Sequence, residues 1–259
     1  MLVDKPDGPS SFAVVRKVRS RTGARAGHAG TLDPFATGLL LVLLGGATRL
    51  AQYLVGLEKR YETAIDLRST TASGDRQGEP LEEHAPLSAD ELAERLVELR
   101  GEVLLRVPAV SAIKIDGERA YKLARRGVEV EMPMRESTVH ELELEDYREG
   151  IARIALRVSS GTYVRAIADA LGGHCVELRR TAVGPFRVED ADEERVLPPL
   201  EALPFLPRRE LSDDEAAVLR NGRSLVATDE GVMRLVHGDT LVAIGRGDGE
   251  RIRPETVLP

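Results

Sequence analysis

Four prolines fall within ten residues of this chain, Pro198, Pro199, Pro204 and Pro207. Each lacks a backbone donor and fixes φ, so no helix or central strand can run through 197–207. The chain is therefore expected to divide there, into a body of residues 1–206 and a small tail of residues 207–259. A body of that length can bury a sizeable core. The tail begins with a capping-box pattern, Ser212 and Glu215, and continues as short strands with turns at His237-Gly238-Asp239 and Gly247-Asp248-Gly249. It reads as a small β-rich module.

Inside the body the hydrophobic period keeps changing. Ser10–Ser11 precede a helical pattern with Phe12, Val15 and Val18 on one side and arginines on another, stopped at Gly23. Residues 27–34 follow as a glycine-punctuated loop, and the Leu39–Leu44 run is apolar throughout and reads as buried. Arg60 to Arg68 alternates, which puts Tyr61, Thr63, Ile65 and Leu67 on one strand face. Ser88 and Glu91 cap an amphipathic helix ending near Gly101. Residues 139–147 and 151–158 read as a strand pair turning at Glu149–Gly150, and 163–171 as a helix stopped by Gly172–Gly173. Strands and helices without strict βαβ repetition predict an α+β fold.

Charge narrows the function classes less than its distribution does. The net charge is −7 and the pI about 5.4, which argues against a generally nucleic-acid-binding surface. Yet Arg16, Lys17, Arg19, Arg21 and Arg25 follow one another with no acidic residue between them, a local basic face that suits either phosphates or solvent. Aromatic residues make up only 3%, too few for a protein that stacks many bases. Cys175 is the single cysteine and the five histidines are scattered, so neither a disulfide nor a structural metal is expected. The longest aliphatic run is far short of the roughly 20 residues of a membrane span. No signal peptide pattern opens the sequence, and a cytoplasmic protein is expected.

Several residues can be read in two ways. Asp33 before Pro34 is a good helix N-cap, or a carboxylate at the mouth of a pocket with a cation to orient it. Arg165 is an exposed helical arginine or that cation. Tyr61 is a core-facing strand tyrosine, a stacking platform or a phenol in proton transfer. His28 stands between small residues, in a loop that offers it little core. Walker A, dinucleotide-binding and nucleophile-elbow patterns are absent, so no cofactor is expected.

The segment Gly27-His28-Ala29-Gly30-Thr31-Leu32-Asp33-Pro34-Phe35-Ala36-Thr37-Gly38 resembles the catalytic motif of the TruB family of tRNA pseudouridine-55 synthases. Lys5-Pro6-x-Gly8-x-Ser10-Ser11 resembles the family's N-terminal motif, and Lys59-Arg60-Tyr61 its tyrosine motif. Pro108-x-x-Ser111-Ala112-x-Lys114-x-x-Gly117-x-x-Tyr121-x-x-Ala124-Arg125-x-Gly127 resembles the segment that contacts the T arm. Gly161-Thr162-Tyr163-Val164-Arg165 and Leu178-Arg179-Arg180 complete a set that runs in order from residue 5 to residue 180. One departure stands out: Ala72 occupies a position where the family carries an acid, while Asp75 is retained.

The resemblance implies a catalytic domain with a mixed, largely antiparallel sheet and flanking helices, followed by a short PUA-like RNA-binding module. It implies isomerisation of a T-loop uridine in tRNA, with Asp33, Tyr61 and Arg165 as catalytic residues. His28, Asp75, Tyr163, Leu178, Lys5 and Lys114 would hold the substrate, without metal or cofactor, in a protein acting as a monomer. An RNA-guided synthase working inside a ribonucleoprotein is the nearest rival, and an RNA-folding protein with an idle site is another.

Overall fold

The computed structural model describes residues 1–128 and 130–258. A single sheet organises the body. Its strands lie side by side in the order Leu2–Lys5, Thr37–Leu44, His174–Val183, Lys59–Asp66, Ile151–Val158, Met134–Arg148, Gly101–Arg106. Thr37–Leu44 and His174–Val183 run parallel, and the other neighbours are antiparallel. The mixed, largely antiparallel sheet expected of an α+β body is thus what the chain forms. Helices Ser11–Thr22, Ala89–Glu98 and Val164–Ala170 send Val14, Val18, Leu92, Leu96 and Ile167 into one core with the inward residues of the sheet.

The Leu39–Leu44 run owes its unbroken apolarity to burial on both faces. Leu40 and Val42 join the helix-covered core, whereas Leu39, Leu41 and Leu43 point to the opposite side. There they meet Val236, Leu241, Ile244 and Leu258 of the tail. The tail is a five-stranded sheet in the order Arg208–Glu210, Glu230–His237, Thr240–Asp248, Arg251–Val257, Leu225–Val226. Helix Asp213–Arg220 packs on it behind the expected Ser212/Glu215 capping box. The proline-rich segment has no helix or strand, but Leu203 is fully buried and Leu200 and Phe205 pack beside it, so it is a fitted strap between the two sheets.

Two local expectations change. In helix Ser11–Thr22 the buried stripe is Ser11, Val14, Val15 and Val18, at i, i+3, i+4 and i+7. Phe12 is off that stripe and 69% exposed, so it does not belong to the inner face. The glycine-punctuated loop is also half strand: Ala26–Ala29 pairs antiparallel with Thr37–Leu44. Its small residues carry little side-chain periodicity, and backbone pairing decides the conformation.

Gly38 is required by its surroundings. Its φ is +100°, and a Cβ there would overlap the backbone of Arg180 on the parallel neighbour strand. Gly38→Ala is therefore expected to cost about 2–4 kcal/mol from overpacking and left-handed strain together. A urea midpoint unchanged from wild type would show that the two strands separate freely at this point.

Candidate active site

Asp33 does not cap a helix. Residues 33–36 form a turn in which the amide of Ala36 donates to the Asp33 carbonyl at 3.2 Å, with Pro34 at the position that favours its fixed φ. The turn is held from below. Ser11 Oγ accepts from the Leu32 amide at 2.8 Å and donates to the Leu32 carbonyl at 2.9 Å, while the Gly8 amide donates to the Pro34 carbonyl at 2.9 Å. Lys5 Nζ, fully buried, donates to the carbonyls of Pro6 and Pro9 at 2.8 Å and of Pro34 at 3.0 Å. An ammonium has three donors, and these contacts use all of them.

Arg165 comes from the start of helix Val164–Ala170 and is 2% exposed. Its Nε and Nη2 donate to the two oxygens of Asp33 at 2.9 and 3.1 Å, a two-pronged contact that fixes the plane of the carboxylate. Nη1 donates to the Ser73 carbonyl at 2.6 Å and Nη2 also to the Val110 carbonyl at 2.9 Å. The guanidinium thus ties three distant segments to one point. Asp75 is buried behind it, with Oδ2 3.7 Å from Arg165 Nε. Its Oδ1 accepts from Ser73 Oγ at 2.7 Å and from the Gln77 amide at 3.0 Å, which shapes the loop whose carbonyl holds Arg165.

Tyr61 and Leu178 lie on adjacent antiparallel strands, paired as Tyr61↔Arg180 and Thr63↔Leu178, and so are diagonal neighbours on one face. Both belong to the apolar cluster that contains Leu32 and Phe35, on either side of Asp33, and Tyr163 packs against that cluster. The Asp33 side chain remains 32% accessible above this floor. Lys114 is apart from these residues in chain and exposure: it opens a tight hairpin with Asp116 and Gly117 at φ 48° and 87°.

Arg180 and Lys59 carry more of the site than their place in the sequence suggests. Arg180 is 1% exposed and donates to the carbonyls of Leu39 at 2.8 Å, Gly30 at 3.1 Å and Thr31 at 3.4 Å, bracing the loop that leads to Asp33. A signal for it exists, because strand period two puts Arg180 on the same side as the inward Leu178. Arg179, one residue away, points out and pairs with Asp4 at 2.7 Å. Lys59 Nζ donates to the Val55 and Leu57 carbonyls at 2.5 Å. Burial, and then Arg180, lowers the imidazole pKa of half-buried His28 and favours its neutral form.

Burial pushes the ammonium of Lys59 down to about 8, and Arg180 adds to the shift. The unfolded chain then binds more protons above about pH 8, up to the ordinary lysine value near 10.4. Through that window the Lys59 contribution to stability rises with pH. Urea midpoints measured between pH 7.5 and 10 are expected to gain on those of Lys59→Met as pH increases; a constant difference would show that the ammonium does not titrate there.

Among the described residues no group of three or more His, Cys, Asp or Glu is placed to hold a metal ion. No helix among them is long and apolar enough to cross a membrane.

Residues 16–164 match the family model of the TruB family pseudouridylate synthases, N-terminal domain. The chain is 36% identical to a tRNA pseudouridine synthase B of Aquifex aeolicus over 100% of its own length and 98% of that protein. With the enzyme of the same name from Corynebacterium jeikeium it shares 42% identity over 90% of this chain and 79% of the other. Among solved structures, an H/ACA ribonucleoprotein bound to a substrate RNA containing 2′-deoxyuridine has a chain with TM-score 0.74 and 22% identity, covering 100% of this chain and 84% of that one. That likeness speaks for the fold alone. The family match over more than half of the chain and the two relatives leave one assignment: the chain belongs to the TruB family of pseudouridylate synthases.

Proposed function

We propose that this protein isomerises uridine 55 in the T-loop of tRNA to pseudouridine, with Asp33 as the catalytic carboxylate. The observation that carries the reading is the two-pronged Arg165–Asp33 contact at an accessible turn, flanked by the apolar walls of Tyr61 and Leu178. In the reaction the N1–C1′ bond breaks, the uracil turns, C5 bonds to C1′, and the C5 proton leaves as N1 gains one. Asp33 either adds to C1′ or removes the C2′ proton to give a glycal. Arg165 keeps its oxygens in register, Tyr61 stacks on the uracil and assists loss of the C5 proton, and Leu178 and Tyr163 close the pocket.

A T-loop uridine is buried in folded RNA and has to be flipped out, at a cost of a few kcal/mol. His28, kept neutral by its surroundings, fills the space it leaves. Lys5 and Asp75, whose polar atoms are engaged within the protein, act as positioning residues for the Asp33 turn and for Arg165. Lys114, on an exposed hairpin, is free to reach a phosphate, and the 207–259 module supplies a second, PUA-like RNA surface. The enzyme acts as a cytoplasmic monomer, and it works without guide RNA, in keeping with relatives named for tRNA.

Tritium release from an unmodified tRNA transcript carrying 5-³H-uridine tests this directly, because isomerisation replaces the C5 hydrogen. Release of one equivalent, abolished when the T-loop uridine is replaced by cytidine, is expected. No release from a transcript that the protein still binds would rule out the stand-alone reading.

A further inference from the structure

The exposed side of helix Ser11–Thr22 lies outside the Asp33–Arg165 site. Phe12 is 69% exposed in a protein that has four phenylalanines and no tryptophan. It is one residue beyond Ser11, whose hydroxyl is bonded to both backbone atoms of Leu32, next to Asp33. Neighbouring Cα atoms are about 3.8 Å apart, so the backbone of Phe12 is held close to the catalytic turn. Arg16 and Arg19 follow at i+4 and i+7 and share its face of the helix. The three span about 10.5 Å of helix rise. Both arginines are exposed, and neither guanidinium forms an ion pair or hydrogen bond among the described residues. Arg21, by contrast, is neutralised by Glu193 at 2.9 Å. The helix carries no acidic residue at all.

An exposed ring followed by unpaired guanidinium groups suits single-stranded or looped RNA, where a base or ribose stacks on the ring and phosphates meet the cations. A protein partner would need a wider apolar patch than one ring amid positive charge. We infer that the Phe12–Arg16–Arg19 stripe is a contact surface for the RNA strand leaving the catalytic pocket: Phe12 stacks on a nucleotide next to the flipped uridine, and Arg16 and Arg19 hold the following phosphates. The inference rests on the proposed RNA isomerase reading.

Steady-state kinetics on tRNA transcript test it. Phe12→Ala is expected to raise KM about tenfold with kcat retained, the scale of losing one stacked base, while Phe12→Tyr restores wild-type KM. The double change Arg16→Ala with Arg19→Ala is expected to lower the dependence of log KM on log salt by about 1.4, at roughly 0.7 per phosphate contact on a single strand. Wild-type KM in Phe12→Ala together with an unchanged salt slope in the double variant overturns the inference, provided that wild type releases tritium; absence of release from wild type instead overturns the underlying assignment. A stripe needed only for self-association in ultracentrifugation would also overturn it.

Discussion

Asp33→Asn is expected to lower turnover on tRNA by on the order of 10⁴-fold or more, the scale of removing a group on which the chemistry itself depends. The change is nearly isosteric. The introduced amide would still present one oxygen to Arg165, and Ser11, Gly8 and Lys5 would still hold the turn through backbone atoms. RNA affinity should therefore stay within about tenfold of wild type, or within about 1.4 kcal/mol. Stability should fall by no more than about 1–3 kcal/mol for the weakened charge-assisted contact. Turnover by single-turnover tritium release and affinity by filter binding would be measured on the same preparation. Loss of both in equal measure would mean that Asp33 organises the turn and does not act on substrate, whereas retained turnover would move the catalytic role elsewhere.

Much of this fold and site is legible in the sequence, for reasons that differ from residue to residue. The strand Lys59–Asp66 and the hairpin of Met134–Arg148 with Ile151–Val158 follow from period-two burial and a turn at Glu149–Gly150, signals that a half-buried strand cannot avoid. The capping boxes at Ser88 and Ser212 form as expected because the pattern satisfies its own backbone donors locally. What the sequence does not show is long-range. That Arg165 reaches Asp33, Ser73 and Val110 at once depends on three segments meeting beneath one helix, and no local spacing encodes that. Read locally, Asp33–Pro34 fits a helix cap as well as a turn, and only the tertiary anchors from Ser11 and Lys5 select the turn. Phe12 is ambiguous in the sequence because a helix of mixed apolar residues admits two stripes, and valine packing against the sheet decides between them.

Arg165→Met is expected to lose stability and activity together, in contrast to Asp33→Asn. The thioether side chain fills similar space but donates nothing. It would leave the Ser73 and Val110 carbonyls without their donors, and Asp33 and the deeply buried Asp75 without the guanidinium that lies between them. Breaking a buried pair by removing one partner costs about 3–5 kcal/mol. That cost should appear as a large fall in the urea midpoint, with turnover at background in the fraction that remains folded. Arg165→Lys separates charge from shape. The ammonium keeps a positive charge near both carboxylates, but it cannot make the parallel two-point contact or span the three segments with its compact donors. Stability is then expected to recover in part, with kcat still lowered by about 10²-fold or more, because a carboxylate free to rotate is rarely in line with C1′ or C2′. Near wild-type kcat in Arg165→Lys would limit Arg165 to charge balance, and the orientation of Asp33 would have to come from the turn itself.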